Sequence, residues 1–267
     1  MDATTQTHYR EKGFIVVKNI VPLDHIHDLY QIVTDVLNKH CPELPDFSKH
    51  EAWSDPLFNQ AMLRFRTEKP QEFGFLFDTV QTSTALWRLA TERKICEIAA
   101  ELMYERESAL SVTDLLLRMD APSDMRNKLE WHQDSSYFRQ NDRGENGCVC
   151  SMTMRDLTMD LGPLEILPGS HSVGRIEVAS TGKNDVVTSE QYHVPLDYVQ
   201  RFTPEHVMMS AGDAIFFNFD LIHRSGFNTS NFFRFTAIAR YHRMLANDFK
   251  AGRLVYRHRA SGALVTS

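Results

Sequence analysis

Apolar residues in the N-terminal part of the chain recur mostly at helical spacing. A short apolar run at 13–17 indicates a buried strand, and after Pro22 the apolar positions of 26–37 follow at intervals of three and four, which predicts an amphipathic helix. Residues 41–56 carry three prolines and predict a loop, whereas the helical spacing returns from 57 to 104. We therefore expect this part to be mainly α-helical, with one early strand.

The pattern changes near residue 109, where short apolar or alternating runs replace the helical period and turn-forming residues separate them. Many short strands at such intervals are typical of a sandwich or barrel. Because no repeat or linker divides the chain, we predict one domain over 1–267, in which a helix-rich segment 1–108 packs on a β-core 109–243, followed by a C-terminal extension 244–267. The predicted strands are 112–117, 148–154, 164–167, 214–219 and 232–241.

Residues 171–204 form a long stretch with weak periodicity. Long segments of this kind inside a domain are often lids or binding loops, and they can equally be surface insertions without a role. The sequence leaves both interpretations open.

Composition narrows the class of protein. An apolar fraction of 42% and a charged fraction of 24% are typical of globular domains. The net charge of −6 argues against a general nucleic-acid binder, since affinity for phosphates needs an excess of Lys and Arg. We expect a small-molecule substrate, polar or anionic, no nucleic-acid or membrane partner, and a monomer or homodimer.

The cysteines and the N-terminus bear on the compartment. Four cysteines are too few for a disulfide framework, and Cys148 and Cys150 lack the C-x-x-C spacing of a redox or zinc pair. The first residues show no basic region followed by an apolar run, and no apolar stretch reaches the length of a membrane span. We therefore expect a cytoplasmic protein with reduced thiols.

The candidate chemistry lies in Trp131-His132-Gln133-Asp134 and in a distant histidine, His223, which follows an apolar run. His132 and Asp134 are two positions apart, so on extended backbone both side chains point to one side. A second imidazole from another strand would complete two histidines and one carboxylate around a metal and leave its opposite positions open, as non-haem Fe(II) oxygenases require. Tyr137 and Phe138 are candidate walls of the adjoining pocket.

Arg234 lies in the apolar run 232–237, eleven residues after His223. A charged side chain in such a run needs a partner if it is buried. A bound carboxylate fits, since an arginine can hold it through two parallel hydrogen bonds.

Four segments, in this order, resemble the phytanoyl-CoA dioxygenase family of Fe(II)- and 2-oxoglutarate-dependent oxygenases. They are the opening 9–17, the His132-Gln133-Asp134 motif, the Gly-Pro-Leu to Pro-Gly-Ser-His segment within 160–171, and 212–226 with Arg234 at its offset. The resemblance runs from about residue 8 to residue 243.

The resemblance implies a mainly β fold with flanking helices around a double-stranded β-helix, a jelly-roll core of the cupin type. It implies that His132, Asp134 and His223 bind Fe(II) and that the enzyme consumes 2-oxoglutarate and O₂, releasing succinate and CO₂. Related halogenases lack the carboxylate, so Asp134 favours hydroxylation, or a desaturating or ring-forming variant, over halogenation.

The same resemblance implies contacts to 2-oxoglutarate. Arg234 would bind the distal carboxylate, with Ser225 beside it. Arg118 stands near the position where family members often carry a lysine, which makes it a further candidate. Gln133 and Thr153 are weaker candidates for lining the same pocket.

Three functions remain in competition. The first is an Fe(II)- and 2-oxoglutarate-dependent hydroxylase of a small metabolite. The second is a catalytically silent sensor or scaffold that binds the metal and 2-oxoglutarate on the same fold. The third is a cupin-like metalloenzyme, such as an isomerase, that does not use 2-oxoglutarate.

Overall fold

The computed structural model describes residues 2–47, 53–125, 129–180 and 191–250, together with the backbone of two short strands at 255–257 and 264–266. Among the described residues, most helices precede residue 103, as the apolar spacing predicts. They are α1 (Ala3–Lys12), α2 (Leu23–His40), α3 (Pro56–Glu68), α4 (Pro70–Gln81), α5 (Thr84–Ala90), α6 (Arg93–Leu102) and, later, α7 (Leu196–Val199).

The strands form antiparallel sheets, and each of the five runs predicted from the sequence overlaps one strand. Within the described residues helices hold more of the chain than strands do, so the fold is mixed helix and sheet rather than mainly β. The strands are β1 (Phe14–Val17), β2 (Leu110–Asp120), β3 (Gly147–Thr153), β4 (Glu165–Ile166), β5 (Glu205–His206), β6 (Ala214–Asn218), β7 (His223–Arg224), β8 (Arg234–Arg243), β9 (Val255–Arg257) and β10 (Leu264–Thr266).

Helix α1 is an element that the apolar pattern did not predict. Its only buried residue is Tyr9, so it lacks the apolar stripe that marks an amphipathic helix. Its ends define it instead. The Asp2 side chain accepts a hydrogen bond from the Thr5 amide, and Gly13 closes the helix in the left-handed region at φ 82°.

The largest sheet has five strands in the order β1-β6-β3-β8-β2. A separate sheet has three strands in the order β5-β4-β7. One face of the large sheet packs under the helices, where Met119 and Phe235 share a core with Leu29 and Phe58. The opposite face, here called the inner face, shares a second core with Ile166 of the small sheet. Two apolar layers therefore hold the large sheet between the helices and the small sheet.

A β-bulge in β2 decides which of its side chains reach the inner face. Val112 lies opposite Tyr241, but the next pair is Asp114 with Arg240, so Thr113 is an extra residue on β2. Beyond the bulge the alternation of strand side chains is regular. Four cross-strand pairs then follow on the inner face: Asp114 with Arg240, Leu116 with Ile238, Arg118 with Thr236, and Asp120 with Arg234.

None of the described helices combines the length and the apolar character that a membrane crossing requires.

Two glycines allow the backbone after β7 to touch the turn before β4. A Cβ on Gly226 would lie 2.3 Å from the Pro163 carbonyl oxygen, and one on Gly162, which has φ +69°, would lie 2.6 Å from the Phe227 backbone. This approach places the carbonyl oxygens of Leu161 and Gly226 within hydrogen-bonding distance of Arg234. The glycines therefore help to fix a candidate co-substrate residue.

We predict that Gly226→Ala lowers the free energy of unfolding by at least about 2 kcal/mol, because its new methyl group meets backbone that cannot rotate away. Thermal or denaturant unfolding measures this. The matched control is Gly74→Ala in α4, where a Cβ meets nothing within 4 Å and the helix gains about 0.5–1 kcal/mol. Equal stabilities for the two variants would contradict the close backbone approach.

Candidate metal centre

Two backbone hydrogen bonds join His132 directly to His223. The His132 amide donates to the His223 carbonyl at 2.9 Å, and the His223 amide donates to the His132 carbonyl at 3.0 Å. The motif is thus not part of a continuous strand, as the spacing suggested, because this pair is an isolated bridge and Asp134 begins a 3₁₀ turn. Gln133 between them is nevertheless extended, with φ −117° and ψ 137°, so His132 and Asp134 still point to one side.

The three side chains converge on one point. The Nε2 atom of His132 lies 3.7 Å from Asp134 Oδ1, and that of His223 lies 3.9 Å from the same oxygen. All three residues are buried, and one ligand atom from each lies within 4.8 Å of the others. The arrangement fits one metal ion bound from one side by two imidazoles and a carboxylate.

Backbone carbonyls orient both imidazoles. Nδ1 of His132 lies 2.7 Å from the Glu130 carbonyl, and Nδ1 of His223 lies 2.9 Å from that of Leu221. Because a carbonyl can only accept, each Nδ1 carries the proton, and the lone pair of Nε2 faces the convergence point. This is the second contact that metal-binding histidines usually make.

The protonation states suit a metal. Burial lowers the pKa of His132 to about 3, and the neighbouring His223 adds to this shift. Burial also lowers the pKa of His223. Burial would raise the pKa of Asp134, but Arg240 and the two imidazoles bring it to about 2. Two neutral imidazoles and an ionised carboxylate are the forms that bind metals.

Arg240 holds the carboxylate of Asp134 from behind. Its Nε donates to Asp134 Oδ2 at 2.8 Å, and its Nη1 donates to Asp114 Oδ2 at 2.5 Å. The bond to Oδ2 leaves Oδ1 turned toward the two histidines. The sequence interpretation did not single out Arg240. The available signal was its even spacing from Arg234 on one strand, which puts both arginines on the same face.

Arg234, Arg118 and Ser225 form a second cluster, as the resemblance implied, around a carboxylate that was not predicted. Arg234 donates to Asp120 Oδ2 through Nη2 at 2.7 Å and Nε at 3.2 Å. Arg118 donates to Asp120 Oδ1 at 3.0 Å and to the Ser225 hydroxyl at 2.8 Å. Burial would raise the pKa of Asp120, but the two arginines keep it below its usual value. The partner expected for Arg234 was a ligand, and the structure supplies a protein carboxylate first.

Arg234 is further fixed by the chain itself. Its Nη1 donates to the carbonyl oxygens of Leu161 and Gly226, at 3.2 and 3.0 Å. A small pocket borders its guanidinium, and Asp120, Gly226 and Asn228 are among its lining residues. The guanidinium is thus immobile and lies at the wall of a cavity.

Gln133 does not line a co-substrate pocket, contrary to the expectation. Its Nε2 donates to the carbonyls of Gly174 and Asp220, and its Oε1 accepts from the Ile176 amide. These bonds explain a buried amide within the metal motif, since each of its polar atoms has a backbone partner. The side chain fastens the segment after β4 to the metal motif.

Thr153 is placed on the inner face but is not available as a donor. It is fully buried and lies opposite Thr236 of β8. Its hydroxyl donates to the carbonyl of Arg155 at 2.7 Å. The residue therefore shapes the wall near Arg118 rather than offering a hydrogen to a ligand.

Two aromatic rings border the site. The Tyr137 ring meets His132 edge-on at 5.6 Å between centroids, and the Phe138 ring lies 4.2 Å from the Arg240 guanidinium. The Tyr137 hydroxyl accepts from the Tyr192 amide at 3.0 Å. Part of the long segment 171–204 thus docks beside the metal motif, whereas 181–190 lie outside the described residues.

Comparison with known proteins agrees with this geometry. Residues 9–236 match the family model of phytanoyl-CoA dioxygenase (PhyH). The human peroxisomal phytanoyl-CoA dioxygenase is 26% identical over 236 residues, which cover 85% of this chain and 64% of the human protein. The chain therefore spans slightly less than two thirds of that relative's length. L-proline trans-4-hydroxylase of Streptomyces griseoviridis is 30% identical over 128 residues, 43% of this chain and 48% of that protein.

A solved structure shows the same fold at low sequence identity. The non-haem α-ketoglutarate-dependent carbocyclase SnoK from nogalamycin biosynthesis matches 93% of this chain and 88% of its own, with a TM-score of 0.59 and 18% identity. The family match covers most of the chain and includes all three metal-binding candidates. The chain therefore belongs to the phytanoyl-CoA dioxygenase family, whose members are non-haem iron, 2-oxoglutarate-dependent oxygenases.

Proposed function

We propose that this chain is an Fe(II)- and 2-oxoglutarate-dependent dioxygenase that hydroxylates, or otherwise oxidises, an unactivated C–H bond of a small metabolite. The observation that carries the proposal is the buried, one-sided group of His132, Asp134 and His223. Two imidazoles and one carboxylate suit Fe(II), and their placement on one side leaves room for a co-substrate and O₂. Bound iron would supply the redox chemistry, and the chain supplies the positions.

The position of the second cluster along the chain supports binding of a five-carbon dicarboxylate. His223 and Ser225 are two residues apart, so their side chains are separated by about 6–7 Å along the strand direction. Arg118 binds the Ser225 hydroxyl, and Arg234 binds the neighbouring Gly226 carbonyl. A 2-oxoglutarate whose keto-acid end meets the metal would thus present its distal carboxylate to these two arginines. Asp120 would keep them in place.

We also propose that the five-stranded and the three-stranded antiparallel sheets form a double-stranded β-helix within a single domain over 1–267. The small sheet carries His223, and the inner face of the large sheet carries both arginine clusters, Arg118 with Arg234 and, further along, Arg240. A metal held by these residues would lie between the sheets, where the walls would exclude water from it. A site of this kind requires neither a nucleic-acid nor a membrane partner.

Succinate formation tests the proposed function. We expect the Fe(II)-loaded chain to release succinate from 2-oxoglutarate in air, and we expect the release to increase with the true substrate. The double variant His132→Ala/Asp134→Ala removes two of three ligands and should abolish the release. Unimpaired turnover by that variant would contradict the assignment of the metal site.

Arg240→Met should weaken metal binding by about 10- to 100-fold, because Asp134 loses the hydrogen bond that orients it. Titration with Co(II), followed by visible absorption, measures the affinity without turnover. Arg240→Lys, which keeps the charge, should bind the metal with an affinity between those of the wild type and Arg240→Met. The control is Arg88→Met, which removes an exposed ion pair with Asp28 far from the metal. A wild-type affinity in folded Arg240→Met would refute this role.

Arg234→Met should raise the dissociation constant for 2-oxoglutarate by at least about 30-fold, because a buried charge-assisted contact is lost. The affinity for Co(II) should change by less than about 3-fold, since Arg234 does not touch the metal-binding residues. Calorimetry on the Co(II)-loaded protein measures both. Arg155→Met is the control, since Arg155 is a half-buried arginine that stacks on Phe232 instead. A silent sensor would show this loss of 2-oxoglutarate affinity but would release no succinate. An enzyme that does not use an oxo-acid would neither bind 2-oxoglutarate nor release succinate.

A further inference from the structure

The proposed function assigns two of the four pairs on the inner face to the co-substrate and, from the other two, uses only Arg240, which holds Asp134. Asp120 with Arg234 and Arg118 with Thr236 border the co-substrate. Leu116 with Ile238 and Asp114 with Arg240 continue the same face in the opposite direction along the strands.

The metal-binding candidates face the two remaining pairs. Asp134 is tied to Arg240, whereas Ser225, two residues beyond His223, is tied to Arg118. The ligand group therefore stands across from the row between those two arginines, which is Leu116 with Ile238. A C–H bond resting on this apolar row would be the one that points at the metal.

The neighbouring pair, Asp114 with Arg240, offers one hydrogen-bond donor group and one acceptor that have no partner among the described residues. Arg240 uses Nε and Nη1, so its Nη2 makes no hydrogen bond to any described residue. Asp114 accepts through Oδ2, and its Oδ1 likewise has no partner within the described chain. The Asp114 side chain is 34% exposed, although Arg240 is only 11% exposed. A carboxylate oxygen and a guanidinium nitrogen that have no partner among the described residues thus belong to neighbouring side chains, one of which holds the metal-binding candidate Asp134.

The bulge at Thr113 supports a recognition role for Asp114. Without the extra residue, Thr113 and not Asp114 would lie opposite Arg240. Bulges of this kind often re-aim a side chain beside an active site. A purely structural partner for Arg240 is already present in Asp134, so the second carboxylate is not needed to neutralise the guanidinium.

We propose that Asp114 and Arg240 bind the charged head of a zwitterionic substrate, an aliphatic α-amino or imino acid, whose carbon body lies on Leu116 and Ile238 and faces the metal. Nη2 of Arg240 binds the substrate carboxylate, and Oδ1 of Asp114 accepts from its ammonium group. The proposal rests on the proposed function and names the substrate class of that same site. The aromatic rings of Tyr137 and Phe138 close the remaining side.

Matched probes test the need for both charges. L-proline, L-valine and L-leucine are titrated into the Co(II)- and 2-oxoglutarate-loaded protein. Each amino acid is compared with the amine that lacks its carboxylate and with the acid that lacks its ammonium group. At least one amino acid should bind at least about 10-fold more tightly than both of its single-charge analogues, since each lost charge-assisted contact costs about 1.4 kcal/mol or more. With Fe(II), the same amino acid should increase succinate release. Equal binding of an analogue, or no binding by any amino acid, overturns the proposal.

Asp114→Asn separates recognition from folding. The variant should weaken binding of the amino acid by about 10- to 100-fold but leave binding of the matching acid and of 2-oxoglutarate within about 2-fold. The asparagine oxygen can still accept from Arg240, whereas the charge that attracts the ammonium group is lost. Glu68→Gln removes an exposed carboxylate that pairs with Arg64 on helix α3 and should change none of these affinities. An unchanged amino-acid affinity in Asp114→Asn, or an equal loss for the acid, refutes the role of Asp114.

The two proposals fail separately. If 2-oxoglutarate neither binds nor yields succinate, the dioxygenase proposal fails, while calorimetry of amino acids on the Co(II)-loaded protein still decides the binding site. If 2-oxoglutarate binds and no amino acid does, the dioxygenase proposal stands and the substrate class is wrong. Binding of an acyl thioester in place of amino acids would point to a different substrate class.

Discussion

The backbone bridge between His132 and His223 is the constraint on which the site depends. Two hydrogen bonds of 2.9 and 3.0 Å join residues that are far apart in the sequence and bring their imidazoles together. Asp134 follows on extended backbone, and Gln133 anchors the segments on either side through three bonds to backbone groups. If this bridge slipped by one residue, one imidazole would turn away from the metal. The site is thus fixed by backbone pairing before any metal binds.

Paired charges extend this order to the surrounding walls. Each of three arginines on the inner face contacts a carboxylate: Arg118 and Arg234 share Asp120, and Arg240 lies between Asp114 and Asp134. Buried charges are tolerated only when they are paired and hydrogen-bonded, so each arginine is rigid. Rigid donors in a closed site can hold a dicarboxylate at one end and a substrate head at the other without a cost of rearrangement. Under the two proposals the inner face has a co-substrate part and a substrate part, and the three metal-binding candidates lie opposite their boundary.

The sequence was informative where the chemistry is local. His132 and Asp134 share a short motif, and His223 and Arg234 stand at a spacing that the family resemblance supplies. Asp120 and Arg240 were not found, because their roles follow from the register of β2 on β8 and from the bulge at Thr113, which no local pattern reveals. Gln133 was misjudged for the same reason, since its partners lie about 40 and 87 residues away in the chain. Helix α1 was missed because its ends, and not an apolar stripe, define it.

The most direct measurement of the central claim is the visible absorption of the Fe(II)-loaded protein without oxygen as 2-oxoglutarate is added. Chelation of the metal by a keto acid gives a charge-transfer band, which requires two adjacent open positions on the metal. We predict that the band appears with a saturable dependence on 2-oxoglutarate, that His132→Ala/Asp134→Ala abolishes it, and that Arg234→Met shifts it to higher concentrations. A protein that binds Fe(II) tightly and shows no band at saturating 2-oxoglutarate would contradict the account.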